Sequence, residues 1–306
     1  MTKPCRRKLL WTGLFLYAAA LSAQDATVDF APDAQAASAP AAAAKTADDT
    51  AALAKATQNP VASLISVPFQ NNSNFGVGPY NRTQDVLNIQ PVIPIRISEK
   101  WMLISRTIQP IVWQPAPAAN SGGQYGFGDM NPTFFLSPAN PGKLIWGVGP
   151  AIVIPTATSA ALGQGKLSFG PSVVVLVQPG KWTIGALVNN VWSVAGSTHR
   201  PHVNQMLLQY FINYNLKKGW YLTSAPIITA NWSNKANGDA ATGNDTTAGS
   251  VWTVPVGGGA GRIMRLGYQP VNIAVNFYGN AVHPPGASSW GMRLQIALLY
   301  PKKPKP

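Results

Sequence analysis

The segment Trp290-Gly291-Met292-Arg293-Leu294-Gln295-Ile296-Ala297-Leu298-Leu299-Tyr300 (WGMRLQIALLY) decides how the rest of the chain is read. Trp290, Met292, Leu294, Ile296, Leu298 and Tyr300 share one parity, whereas Gly291, Arg293, Gln295 and Ala297 share the other. Successive side chains of an extended strand point to opposite faces, so this strand has one apolar face, with an aromatic at each end, and one polar face.

The same alternation recurs upstream. Trp220, Leu222, Pro226, Ile228, Ala230 and Trp232 oppose Tyr221, Thr223, Thr229 and Asn231. Twelve positions part Trp220 from Trp232. At roughly 3.3 Å per residue and a tilt near 40° they lie about 30 Å apart, an outer-membrane apolar band with its girdles. Met206, Leu208, Tyr210, Ile212, Tyr214 and Leu216 oppose Gln205, Gln209, Asn213 and Asn215; Val271, Ile273, Val275 and Phe277 oppose Asn272 and Asn276. Leu87, Ile89, Ile93, Ile95 and Ile97 oppose Asn88, Gln90 and Arg96, while Trp182, Ile184, Ala186 and Val188 oppose Thr183, Gly185 and Asn189. The candidate lumen-lining residues are therefore Asn88, Gln90, Arg96, Asn189, Gln205, Gln209, Asn213, Asn272, Asn276, Arg293 and Gln295. The candidate membrane-interface aromatics are Trp182, Trp220, Trp232, Trp290 and Tyr300. Between Trp101 and Trp113 the faces stay unassigned, because Arg106 shares parity with Ile104, Ile108 and Val112.

Composition leads to the same architecture. Of 306 residues only 11% are charged, about half the usual share of roughly 25% in soluble domains. Beyond the first two dozen residues no apolar run reaches the roughly 18 positions of a spanning helix. Abundant Gly, Pro and Trp favour an all-β chain. In lipid every backbone donor needs a partner, which for strands requires a closed barrel. The expected fold is a transmembrane antiparallel up-and-down β-barrel.

Lys3, Arg6, Arg7 and Lys8 precede the apolar run from Leu9 to Leu21, and Ser22-Ala23 supply small residues for cleavage, so residues 1–23 read as a secretory signal peptide. The single cysteine, Cys5, falls inside it, which leaves no disulfide for the mature chain. Residues 24–59 form an Ala-rich periplasmic lead-in expected to be disordered except for a short helix near 49–58, where Asp48 and Asp49 suit a helix N-terminus and Pro60 ends it. The plain reading of this segment is a tether; the sharper one is a partial plug at the periplasmic mouth. The barrel is assigned to residues 60–300 and a basic tail to 301–306.

Tight breaks near 98–100, 137–143, 178–181, 217–219 and 266–267 alternate with longer polar stretches near 77–84, 114–128, 156–166, 196–202, 233–249 and 279–289. Short periplasmic turns alternating with longer external loops are the habit of outer-membrane barrels. The segments between them number about twelve: 64–76, 85–97, 101–113, 129–137, 143–155, 167–178, 181–195, 203–216, 219–232, 250–264, 268–278 and 290–300. A barrel of that size has a backbone radius of about 12 Å, wide enough for a small molecule and too narrow for a general porin. Pro91, Pro132, Pro150, Pro171 and Pro226 fall mid-segment on the lipid parity, which predicts bulges or kinks.

Chemistry-bearing residues are sparse. His199, His202 and His283 all fall in proposed external loops, without a His-x-Ser pair and without a carboxylate or cysteine to complete a metal site. Outside the lead-in the only acids are Asp85, Glu99, Asp129, Asp239 and Asp245. Gly257-Gly258-Gly259-Ala260-Gly261 lacks the Lys-Ser/Thr of a phosphate loop and reads as a thin or bulged strand. The lysines cluster at turns, without the interleaved aromatics of a nucleic-acid surface. No enzyme, metal, cofactor or nucleic-acid partner is expected. Arg96 and Arg293, on inward parities among amides, have two readings: a lumen that favours anions, or arginines that simply fill the interior with hydrogen bonds.

The stretches QNPVASLISVPFQNNSNFGVGP (58–79), LNIQPVIPI (87–95), GDMNPTFFLSP (128–138), GVGPAIVIPTAT (147–158), QPGKWTIGALVNNVWSVAG (178–196) and GWYLTSAPIITANW (219–232) resemble bacterial outer-membrane barrels grouped with the MetA pathway of phenol degradation, some of which carry the labels transporter or neuromedin U. The resemblance covers residues 58–300 and implies an outer-membrane location and uptake of aromatic or other hydrophobic compounds. It transfers no functional residue. The expected partners are outer-membrane lipid, a small-molecule solute and the barrel-assembly machinery. The leading reading is a passive channel for small aromatic or anionic solutes. A non-conducting structural or loop-binding barrel comes second and an outer-membrane enzyme third.

Overall fold

The structure, a computed structural model, describes residues 50–233 and 251–301. The signal-peptide, lead-in and tail assignments at residues 1–49 and 302–306, and residues 234–250 of an external loop, lie outside these described residues. No helix among the described residues is long and apolar enough to cross a membrane.

One antiparallel sheet curls until its ends meet. Its strands are β1 (Ile65–Val77), β2 (Arg82–Ile89), β3 (Val92–Arg96), β4 (Trp101–Gln114), β5 (Gln124–Phe127), β6 (Asn131–Pro138), β7 (Leu144–Val153), β8 (Lys166–Val177), β9 (Trp182–Gly196), β10 (Asn204–Asn215), β11 (Trp220–Ser224), β12 (Ile227–Asn231), β13 (Trp252–Leu266), β14 (Gln269–Val282) and β15 (Trp290–Tyr300). β2 and β3, β5 and β6, and β11 and β12 are each one stave interrupted by a break, so the closed barrel has 12 strands. The seam runs in unbroken register from Ile65–Tyr300 to Phe75–Trp290, between β1 and β15. Hydrogen bonding thus leaves no open edge for lipid to meet.

Two of the five mid-segment prolines sit at these breaks, Pro91 between β2 and β3 and Pro226 between β11 and β12. Pro132, Pro150 and Pro171 stay within strands, Pro150 directly opposite Pro171. At one end the connections are short, as at 97–100, 178–181 and 267–268, and this turn end also receives both ends of the barrel chain. Outer-membrane barrels place such an end in the periplasm. The opposite, loop end carries 115–123, 154–165, 197–203 and 283–289. The connection expected at 77–84 is a tight turn at 78–81, held by Gly78 at φ +70° and Asn81 at φ +51°. Left-handed backbone of this kind suits Gly and Asn. Within the stretch expected to be a loop at 114–128, β5 extends the β6 stave along β4.

Aromatic residues ring the outward face at two levels. Trp101 meets Trp146 at 6.0 Å and Trp182 meets Tyr214 at 4.7 Å near the turn end. Phe75 stacks on Trp290 at 4.1 Å, Trp113 lies 4.6 Å from Tyr125 and Trp232 lies 5.3 Å from Trp252 near the loop end. Trp220 lies under the Arg262 guanidinium at 5.2 Å, and Tyr300 is exposed at the turn end. Trp232 stands one residue past the end of β12, and its indole Nε1–H donates to Asn190 at 3.0 Å.

The inward face is not amide-lined along its whole length. Its turn-end half is apolar: Met102, Ile104, Phe135, Val174, Leu176 and Phe211 form one buried cluster and Tyr221, Ile263, Ala274, Ala297 and Leu299 belong to a second. This settles β4, whose even positions Met102, Ile104 and Arg106 face inward. The apolar lining exists because the N-terminal segment fills it. A helix, α1 (residues 50–57), and the turn after it lie inside the turn end, with Ala54, Val61 and Leu64 buried in the two clusters. Gln58 and Asn215 exchange side-chain hydrogen bonds of 2.8 and 3.1 Å. Gln178 Nε2 donates to the Lys55 carbonyl at 2.8 Å. Of the two readings of this segment, the packing bears on the plug: residues 50–64 lie inside the turn end, with Ala54, Val61 and Leu64 buried against the inward face.

Candidate functional site in the barrel lumen

Above the plug the lumen becomes polar, and two broken staves shape it. Arg106 of β4 donates from Nη2 to Gln90 Oε1 at 3.0 Å. Gln90 lies at the β2–β3 break, where its own N–H donates to the Pro68 carbonyl at 2.9 Å. Arg293 of β15 donates from Nε to Asn72 Oδ1 at 3.0 Å and from Nη1 to the Ala225 carbonyl at 2.9 Å. Ala225 precedes Pro226, which has no N–H to give the ladder, so the break leaves this carbonyl available to the lumen. The Arg293 guanidinium also lies 5.0 Å from the Tyr278 ring centroid.

Between the two arginines and α1 lies a cavity of about 200 Å³. Gln90, Gln209, Asn213, Asn272, Asn276, Arg293 and Gln295 of the predicted set border it, together with Arg106. Leu187, Phe211 and Tyr221 add apolar wall, and Ala56 to Pro60 form its floor. A second space, toward the loop end, takes in Asn88, Asn72, Asn74 and Thr229 and shares Gln70 and Arg293 with the first. Arg293 stands between the two chambers.

The remaining predicted positions lie elsewhere. Asn189 is the cross-strand partner of the buried Ser172 and borders neither space. Gln205 accepts a 3.0 Å bond from Gln164 of the 154–165 connection. Arg96 is corrected: it is exposed at the last position of β3 and donates to the carbonyls of Ser98 and Glu99 at 3.2 and 3.0 Å, because the chain turns immediately after it. Its place as a lumen cation belongs to Arg106, which the alternation left unassigned. The signal for Arg106 was a charge on a parity that is otherwise apolar from Met102 to Val112.

Among the described residues no Asp or Glu borders either space. Glu99 is in a turn; Asp129 accepts backbone N–H bonds from Ala157 at 3.2 Å and Gln164 at 2.6 Å, pinning the external connection. Asp85 faces outward with Asn71 and Ser73. The Ser73 hydroxyl donates to Asp85 Oδ1 at 2.5 Å, and Asn71 Nδ2 donates to Ser73 Oγ at 3.1 Å. This polar group on the outer surface was not anticipated, since both parities of Gln70 to Asn74 are polar. No histidine joins it: His199, His202 and His283 lie in loop-end connections. Among the described residues no three His, Cys, Asp or Glu side chains assemble into a metal site.

The glycine run lies within β13. A Cβ on Gly261 would fall 2.3 Å from the Tyr221 ring and hydroxyl, so glycine there makes room for Tyr221, whose OH donates to Asn272 Oδ1 at 2.8 Å.

No protein-family model and no curated relative matches the sequence. Among solved structures the chain is similar to an outer membrane channel from Pseudomonas putida F1, with a TM-score of 0.55 and 12% identity over 78% of this chain and 94% of that one. It is also similar to outer membrane phospholipase A from Escherichia coli, with a TM-score of 0.40 and 11% identity over 77% of this chain and 96% of that one. The fold is that of an outer-membrane β-barrel.

Proposed function

We infer that the chain is exported by its N-terminal signal and inserted by the barrel-assembly machinery into the outer membrane, where it is a channel for passive uptake of small solutes, with a preference for anions. The motifs resemble the phenol-degradation type of barrel, and aromatic solutes are the class that resemblance implies. One observation carries this reading: a closed barrel holds a polar lumen in which Arg106 and Arg293 project with no bordering carboxylate among the described residues. Fixed positive charge in a narrow pore raises the local anion concentration and excludes cations. Purified protein in planar bilayers tests it. Conductance steps and a reversal potential on the anion side are expected under a salt gradient; silence in bilayers together with no solute flux in liposomes, both before and after removal of residues 24–63, sinks the channel, and a cation-selective pore sinks the anion preference.

The plug favours a second reading, a closed barrel with a structural or loop-binding role. The two separate on removal of residues 24–63: a plugged channel gains conductance, whereas a structural barrel stays silent. An outer-membrane enzyme ranks third, because the outward Ser73 has Asn71 and Asp85 beside it but no histidine base. Lipid hydrolysis lost on changing His199 or His202 would reverse that ranking.

A further inference from the structure

Arg262 is a cation on the lipid-facing side of its strand. It pairs across the sheet with Trp220 of β11 and Ile273 of β14, whose side chains point outward, so its own side chain leaves β13 on that face near the turn end. An arginine so placed ordinarily snorkels, with its stem along apolar surface and its guanidinium in water. Arg262 does not. Its guanidinium lies 5.2 Å from the Trp220 ring centroid, and its Nε is buried and meets no hydrogen-bond partner among the described residues. A charge withdrawn from water needs an opposite charge or acceptors to meet it. The turn end offers little: among the described residues its one acid is Glu99, in the turn between β3 and β4.

The rim beside Arg262 adds positive charge instead. Gly219, at φ +77°, lies against the Ile263 carbonyl, which sets Lys217 and Lys218 beside the end of β13, and Arg265 is exposed three residues after Arg262. Lys218 has left-handed backbone, φ 58°, where Gly or Asn costs less, so the turn carries a lysine at a position that does not favour one. Toward the bilayer centre the outward parity of β13 continues through Ala260 and Gly258. Their cross-strand neighbours Leu222 and Phe277 are large and exposed. Two small side chains between two large ones leave a furrow that leads from the guanidinium into the apolar band.

A ligand that uses all of these features has an anionic head with several acceptor oxygens and an apolar tail. The guanidinium fork matches phosphate oxygens two at a time. Interfacial aromatics stand at the level of the headgroups, and basic clusters there attract anionic lipid. We propose that Arg262, Trp220 and Lys218 form a binding site for the phosphate of an anionic phospholipid in the leaflet at the turn end, with one acyl chain in the furrow over Ala260 and Gly258. A headgroup that carries its own ammonium is disfavoured, because the neighbouring cations repel it. The site lies on the outside of the barrel, so its failure and the failure of the channel reading are separate results.

The test is native mass spectrometry of the full-length mature protein, folded in detergent and titrated with phosphatidylglycerol, with phosphatidylethanolamine of the same acyl chains, or with inorganic phosphate. Phosphatidylglycerol is expected to bind about tenfold more tightly than phosphatidylethanolamine, and Arg262→Leu and Lys218→Gly should each weaken it about fivefold, the worth of one basic residue near an anionic surface. Both variants should fold, since leucine suits a lipid-facing position and glycine suits left-handed backbone. Folding is read by faster migration on gels before boiling, and if neither variant folds, the ratio of the two lipids on the wild-type protein decides alone. Lys181→Gln, on another part of the same rim, should leave phosphatidylglycerol within about twofold. Equal affinity for the two lipids overturns the site. So does a preference that survives Arg262→Leu, or one that Lys181→Gln lowers as much as Lys218→Gly does, because the charge of the whole rim is then responsible. Displacement of phosphatidylglycerol by inorganic phosphate also overturns it, because the furrow then holds no tail.

Discussion

Tyr221 shows how much a single inward position can decide. Its ring is buried against the plug cluster, its hydroxyl satisfies Asn272, and it has space only because residue 261 is Gly. Tyr221→Phe removes one partner of a buried pair and leaves the Asn272 oxygen unmet, which costs about 1–3 kcal/mol. Thermal unfolding in detergent should register it as a lower midpoint. Gly261→Ala should do more damage, because the new methyl overlaps the ring itself, and a bulky-to-small second change at Tyr221 should restore part of the loss. Inward residues were legible where amides alternate with apolar neighbours, as at Asn272, Asn276 and Arg293. Arg106 was not, because its own parity is otherwise apolar from Met102 to Val112 while Ser105, Thr107 and Gln109 stand on the opposite one, and only packing shows which face meets lipid.

At the scale of elements, α1 and the turn after it are the part that moves the interpretation furthest. Val61 packs beneath Gly147, where an added Cβ would sit 3.1 Å from its Cγ1. Val61→Ala removes about 2 kcal/mol of packing, so the plug should open more often, seen as longer open times in bilayers and faster protease cleavage within 50–64. The reciprocal hydrogen bonds of Gln58 and Asn215 give a complementary test. In a Gln58→Cys, Asn215→Cys variant, oxidation should hold the mouth shut and reductant should restore wild-type conductance; equal currents in both states would show that the plug does not gate. The sequence marked this helix through Asp48, Asp49 and Pro60 but not its destination. An alanine-rich helix with few apolar side chains suits a tether as well as a plug, and only the matching apolar patches on Leu176, Ile263 and Leu299 separate them.

The whole molecule depends on its seam. β15 pairs with β1 over the full run from Ile65 to Phe75, and deleting residues 290–300 exposes two strand edges that lipid cannot satisfy. Such a deletion should yield no species that migrates faster before boiling, whereas removal of 302–306 should leave that behaviour intact. The sequence by itself determined the class of fold, the number of strands and the turn and loop ends, because a two-residue alternation is a local property of the backbone and every strand repeats it. Tertiary structure alone decided which cations share a chamber, that Arg96 stands exposed at the end of β3 while Arg106 borders the cavity, and that residues 50–64 lie inside one mouth. Those relations join positions far apart in the chain, and they are fixed by curvature, by the breaks at Pro91 and Pro226, and by the volume left once the inward side chains have met.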